Sequence, residues 1–221
     1  IVASSNNLHL LSVLTQTSLF FKYLFLWWLP NPAWMSVDMR VTFASSWAVW
    51  QNWLGTIGFI LYGLLAFRLL LHRGRLGLTG LALLYPWLFF VVEFSSVRVQ
   101  EPLVLYRSYL WLPGMMLLFP LLLDALPNRK RTIITLTVIA LSLVPLSWNR
   151  LWVFADNYRL WNDAALLLQN EHVSGAARIY YNRGNAFYGK RDLTKALADF
   201  DAAIKLDPKS ALAYYDRGLT Y

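Results

Sequence analysis

Four stretches of this 221-residue chain stay apolar for close to the roughly 20 residues that a helix needs to cross a bilayer. They cover residues 54–71, 76–97, 109–126 and 132–148. Pro86, Pro113, Pro120 and Pro145 fall inside or near the ends of these runs. Proline is tolerated in membrane helices because neighbouring groups satisfy the freed carbonyls. Composition agrees with the pattern: 57% of residues are hydrophobic and 14% charged, against about 45–50% and about 25% in soluble domains. A fifth stretch, residues 8–29, is interrupted by Thr15, Gln16, Thr17 and Lys22. Its residues leave two options open, crossing the bilayer or lying at its interface. The expected fold class is all-α, a polytopic helical membrane domain over residues 1–148 followed by soluble helices.

The net charge of +8 admits nucleic acid as a partner, but its placement favours a membrane. The connections His72-Arg73-Gly74-Arg75 and Asn128-Arg129-Lys130-Arg131 are short and purely basic, which marks cytoplasmic loops. Connections 30–53 and 97–108 mix acid with base. Trp27, Trp28, Trp34, Trp47, Trp50, Trp53, Trp111, Trp148, Trp152 and Trp161 all fall in or beside the non-basic connections, and tryptophan favours membrane interfaces. Both arguments put the residues after Trp148 on the non-cytoplasmic side of a bacterial inner membrane or of the endoplasmic reticulum. No nucleic-acid partner is expected. The absence of cysteine excludes disulfides and cysteine metal sites. No secretory signal pattern is present. The chain opens at Ile1 without an initiator Met and closes at Tyr221 inside a helical pattern, so we expect a piece of a longer protein.

Residues 149–175 interleave Arg150, Asp156, Arg159 and Asp163 with Trp152, Phe154, Tyr158 and Trp161. That mixture predicts an amphipathic connector at the membrane surface. Beyond it the chain repeats. Ala177-Arg178-Ile179-Tyr180-Tyr181-Asn182-Arg183-Gly184 returns as Ala211-Leu212-Ala213-Tyr214-Tyr215-Asp216-Arg217-Gly218 after 34 residues. Phe187, Ala196, Phe200, Ala203 and Pro208 hold further positions in register. This spacing resembles the tetratricopeptide repeat (TPR), a helical hairpin of 34 residues. Residues 176–221 would hold one complete and one truncated unit, with Asp192 capping the second helix. Arg178, Tyr181, Asn182, Asn185 and Tyr188 would line a peptide-binding face, or be ordinary solvated residues.

The connection before the third apolar run reads Arg98-Val99-Gln100-Glu101, then Tyr106-Arg107-Ser108-Tyr109-Leu110-Trp111-Leu112-Pro113-Gly114. Charged groups at a membrane boundary are functional candidates. Arg107 and Arg98 have the donors to hold a phosphate, with Glu101 orienting Arg107. The same arginines would also suit a plain surface loop meeting lipid headgroups.

The segment from Glu101 to Gly114 resembles the "E-R-x-x-Y-L-P" stretch of the transmembrane and TPR-containing O-mannosyltransferases and their bacterial relatives. Leu14-Thr15-Gln16, Tyr23-Leu24, Pro30 and Asp38 resemble a second segment of that family, and the order of parts is similar. Glu101 and Arg107 stand apart here where the family has them adjacent. The resemblance implies a GT-C-type glycosyltransferase using a polyprenyl-phosphate sugar as donor. Arg107, Arg98 and Glu101 would bind the lipid phosphate, and Asp38 would be a secondary site residue. The catalytic acidic motif would lie before residue 1. The repeats would present an acceptor protein. No cofactor is implied; a divalent metal is compatible with such transfer but is not indicated, and no metal-ligand pattern is present. The alternative function is a non-catalytic, membrane-anchored TPR scaffold for protein assembly.

Overall fold

The computed structural model describes residues 5–44, 46–95, 97, 103–125 and 128–221. Among them are nine α-helices and no β-strand, only an isolated bridge between Met39 and Leu103. The helices are α1 (Ser5–Trp28), α2 (Gln51–Leu70), α3 (Arg75–Val91), α4 (Leu112–Ala125), α5 (Arg129–Phe154), α6 (Asn157–Leu166), α7 (Ala176–Gly189), α8 (Leu193–Leu206) and α9 (Ala211–Thr220). Short 3-10 helices occupy Pro32–Trp34, Val92–Ser95 and Leu105–Trp111. The chain divides into two compact units. One comprises Ile1–Leu29, Phe43–Arg98 and Leu105–Val144; the other comprises Pro30–Thr42, Val99–Val104 and Pro145–Tyr221.

In the first unit α1 packs on α2, α2 on α3 and α3 on α4. Residues 8–29, where the sequence leaves two options, fall almost wholly within α1. Its central ring is Phe20, fully buried, with the rings of Phe59, Tyr62, Phe90 and Trp111 at 4.9–5.5 Å. The polar residues that interrupt α1 are spent inward. Thr15 accepts from the Ala44 amide at 3.0 Å, and the Thr17 and Thr56 hydroxyls lie 2.8 Å apart. Each serves a polar group that burial would otherwise leave costly. The outer faces are the reverse. Ile57, Ile60, Leu61, Leu64 and Leu65 of α2 are exposed, and no residue between 133 and 151 on α5 is buried. Soluble proteins rarely leave contiguous apolar faces of this size bare.

Four helical stretches are long and apolar enough to cross a membrane: Asn7–Trp28, Gln51–Leu70, Arg75–Ser95 and Lys130–Phe154. The region read as a third span over residues 109–126 is built differently. A 3-10 helix over Leu105–Trp111 leads into α4, and its apolar helical stretch, Arg107–Leu123, is shorter than the other four. Counted through the end of the 3-10 helix, Arg107–Leu123 is 17 residues, the lower end of the roughly 17–25 that a spanning helix takes. Pro113 sits at the start of α4, in the first turn, where a missing N–H costs nothing.

In the second unit α6 packs on α7, α7 on α8 and α8 on α9. Asp156 caps α6 through the Arg159 amide, Asp192 caps α8 through the Lys195 amide, and Ser210 caps α9 through the Ala213 amide. These acceptors satisfy N–H groups that have no partner inside the helix. Gly175, just before α7, has φ +81°, a conformation that costs a side chain but not glycine.

Candidate functional site

A cleft of about 340 Å³ opens in the first unit, lined by Tyr23, Phe89, Phe90, Val92, Glu93, Arg107, Ser108, Leu110 and Trp111. Its position follows from local structure. Where α3 gives way to the Val92–Ser95 turn, Glu93 is turned off the helix end; the Leu105–Trp111 turn then brings Arg107 back to it. Arg107 Nη1 donates to Glu93 Oε2 at 3.2 Å, with both side chains largely buried. The remainder of the wall is aromatic and aliphatic. An apolar cleft with one convergent charged group is the usual form of a small-molecule site. The acid paired with Arg107 is therefore Glu93. Arg98 and Glu101, read from the sequence as its companions, lie outside the described residues. Glu93 carried a sequence signal of its own, as a carboxylate near the end of an apolar run. Its partner was not readable, because the pairing depends on a turn 14 residues later. Among the described residues no group of acidic, histidine or cysteine side chains is placed to hold a metal ion.

Asp38 belongs to the second unit, whereas Arg107 belongs to the first. Asp38 is buried against Arg40, with 2.7 Å between Arg40 Nε and Oδ1 and 2.7 Å between Arg40 Nη2 and Oδ2. Arg40 Nη1 also donates to the Ser174 carbonyl at 3.1 Å. Arg178 Nε stands 3.6 Å from the same carboxylate. The sequence placed Asp38 and Arg178 in separate roles; the fold puts them in one cluster at the entry to α7. Arg40 was missed, although its i+2 spacing from Asp38 on an extended segment puts both side chains on one face.

The hairpin of α7 and α8 closes on small residues. Ala196 and Ala203 are buried, Phe200 is fully buried, and a Cβ on Gly184 would meet the Phe200 ring at 2.8 Å. Arg183 locks the two helices through paired bonds of 2.7 and 2.8 Å to Asp199. That contact raises the Arg183 pKa. Residues 177–210 match the tetratricopeptide repeat. No curated protein and no solved structure matches the chain.

The TPR hairpin occupies 34 of 221 residues, with α6 packed before it and α9 after it. Repeats of this kind bind partner proteins through the surface their stacked helices create. Of the five residues expected to face a peptide, Tyr188 is exposed, and Asn182 and Asn185 are half-buried. Tyr181 donates to Asp216 at 2.7 Å, joining α7 to α9. Burial, followed by that bond, raises the Tyr181 pKa. Arg178 is tied to Asp38, with its guanidinium 6.0 Å from the Trp161 ring. Tyr180 donates to Glu171; burial first and that bond second push its pKa up to about 12.

Proposed function

We propose that this chain is the C-terminal part of a membrane glycosyltransferase that moves a sugar from a polyprenyl-phosphate donor to protein hydroxyls. One observation carries the reading: Arg107 lies in an apolar, aromatic-walled cleft, held by Glu93. An isoprenoid chain suits such a wall, and a phosphate suits a guanidinium fork. The motif resemblance around Arg107 points to the same donor. The exposed apolar faces of α2 and α5 suit a lipid surround, and the basic connections favour the non-cytoplasmic side for the TPR. There it would present an acceptor protein.

In such a transfer the acceptor oxygen bonds to the anomeric carbon as the carbon–oxygen bond to phosphate breaks. The electron pair leaves with the polyprenyl phosphate, and the acceptor proton passes to a base. Arg107 would bind the phosphate and stabilise the charge that grows on it as the bond breaks. The base would come from the acidic motif expected before residue 1.

The experiment is a transfer assay on membranes bearing the full protein with a polyprenyl-phosphate sugar. Arg107→Ala should abolish transfer without lowering expression. Unchanged transfer would remove Arg107 from the site. The TPR match favours a second reading, a membrane-anchored scaffold without catalysis. Capture of partner proteins by a full protein that neither binds nor transfers polyprenyl-linked sugar would establish it.

A further inference from the structure

We infer that Glu93 makes the Arg107 cleft selective for a phosphodiester lipid over a phosphomonoester lipid, and so for glycosyl donor over spent carrier. The inference rests on the lipid-phosphate reading above and adds the charge type of the ligand. The described lining of the cleft carries one basic and one acidic side chain, Arg107 and Glu93, 3.2 Å apart. Both side chains are largely buried in a cleft that Tyr23, Phe90 and Trp111 also line, so the charge of Glu93 is felt strongly by anything bound to Arg107.

A bare arginine at the mouth of an apolar cleft would prefer the more highly charged anion. Here the paired carboxylate offsets the guanidinium, and a further negative charge on the ligand is placed beside Glu93. A polyprenyl-phosphate sugar is a diester with one negative charge. The carrier left after transfer is a monoester, whose charge near neutrality is about −1.5 to −2. The added charge meets Glu93 at short range in a poorly solvated site. Glu93 therefore holds Arg107 in place for the donor and weakens retention of the product.

The test uses the chain in nonionic-detergent micelles and two probes of equal chain length, dodecyl methyl phosphate and dodecyl phosphate, by equilibrium dialysis at pH 7.5. The wild type should bind the diester about tenfold more tightly than the monoester, the scale expected for an added charge close to a largely buried carboxylate. Glu93→Gln should lose or invert that preference, and Glu93→Asp, which keeps the charge, should retain it. Arg107→Gln should bind neither probe well. Each variant is scored as a ratio of two probes on one sample, so partial unfolding cancels. Equal ratios in the wild type and Glu93→Gln would overturn the inference while leaving lipid-phosphate binding intact. Failure of the wild type to bind either probe would refute the lipid-phosphate reading itself.

Discussion

Tyr180 and Gly184 sit one helical turn apart on α7 and fail in different ways when changed. Tyr180 is half-buried beside Glu171, which favours its neutral phenol. A tyrosine whose folded pKa is raised stabilises the fold fully below its ordinary value near 10 and loses that contribution as pH rises through the folded value. The window here is therefore between about pH 10 and about 12. Absorbance at 295 nm should show the late-titrating tyrosine signal of the wild type reduced by one residue's amplitude in Tyr180→Phe. Gly184 has no room for a methyl group, because Phe200 lies where its Cβ would go. Gly184→Ala should destabilise the hairpin by about 1–3 kcal/mol, read as faster amide exchange across α7 and α8. Unchanged exchange would mean that Phe200 can move aside. These residues were legible in the sequence because a 34-residue period fixes which positions face the partner helix. Glu93 was not among the candidates read from the sequence, since its pairing with Arg107 is set by two 3-10 turns that carry no periodic signal.

At the scale of elements, the turn between α7 and α8 carries a correctable strain. Arg191 has φ +60°, a left-handed conformation that costs an ordinary residue about 1–2 kcal/mol. Arg191→Gly relieves that cost but loosens the unfolded chain, so a net gain of about 0.5–1 kcal/mol is expected. Slower amide exchange in α8 would show it. The helix caps give a pH dependence of the opposite sign to that of Tyr180. The Asp156 carboxyl is held below its usual value, first by the Arg159 amide and then by Lys190; Asp192 is held down first by Lys195. A depressed carboxyl contributes above its unfolded pKa and loses that contribution as pH falls through its folded value. Helicity of α6 and α8 should thus fall below about pH 4, and less steeply in Asp156→Asn/Asp192→Asn. Three of the apolar runs over residues 54–148 form long helices, because burial or lipid accepts any apolar face. The run at 109–126 does not form one long helix. Its hydropathy resembled the others, but Leu105–Trp111 is taken up in a 3-10 turn that closes the cleft, and only α4 follows.

For the whole molecule, the proposed function would join two activities: protein capture by the TPR, and lipid-phosphate binding by the Arg107 cleft. Sidedness is the first requirement. The chain lacks cysteine, so Ser174→Cys gives a single label site in the exposed turn before α7. Labelling by an impermeant reagent from the non-cytoplasmic face is expected; modification only from the cytoplasm would overturn the assignment. The division of labour between units was only partly legible. The repeat announced itself by period, whereas the cluster of Asp38, Arg40 and Arg178 arises from a segment more than 130 residues upstream of Ser174, to which Arg40 is bonded. No local pattern reports such a contact.

The most direct test of the central claim is photocrosslinking in membranes with a polyprenyl-phosphate analogue that carries its reactive group beside the phosphate, followed by mass mapping of the adducts. Adducts concentrated on residues 89–93 and 107–111, and lost in Arg107→Ala, are predicted. Adducts spread along the lipid-exposed faces of α2 and α5, unchanged by Arg107→Ala, would contradict the account.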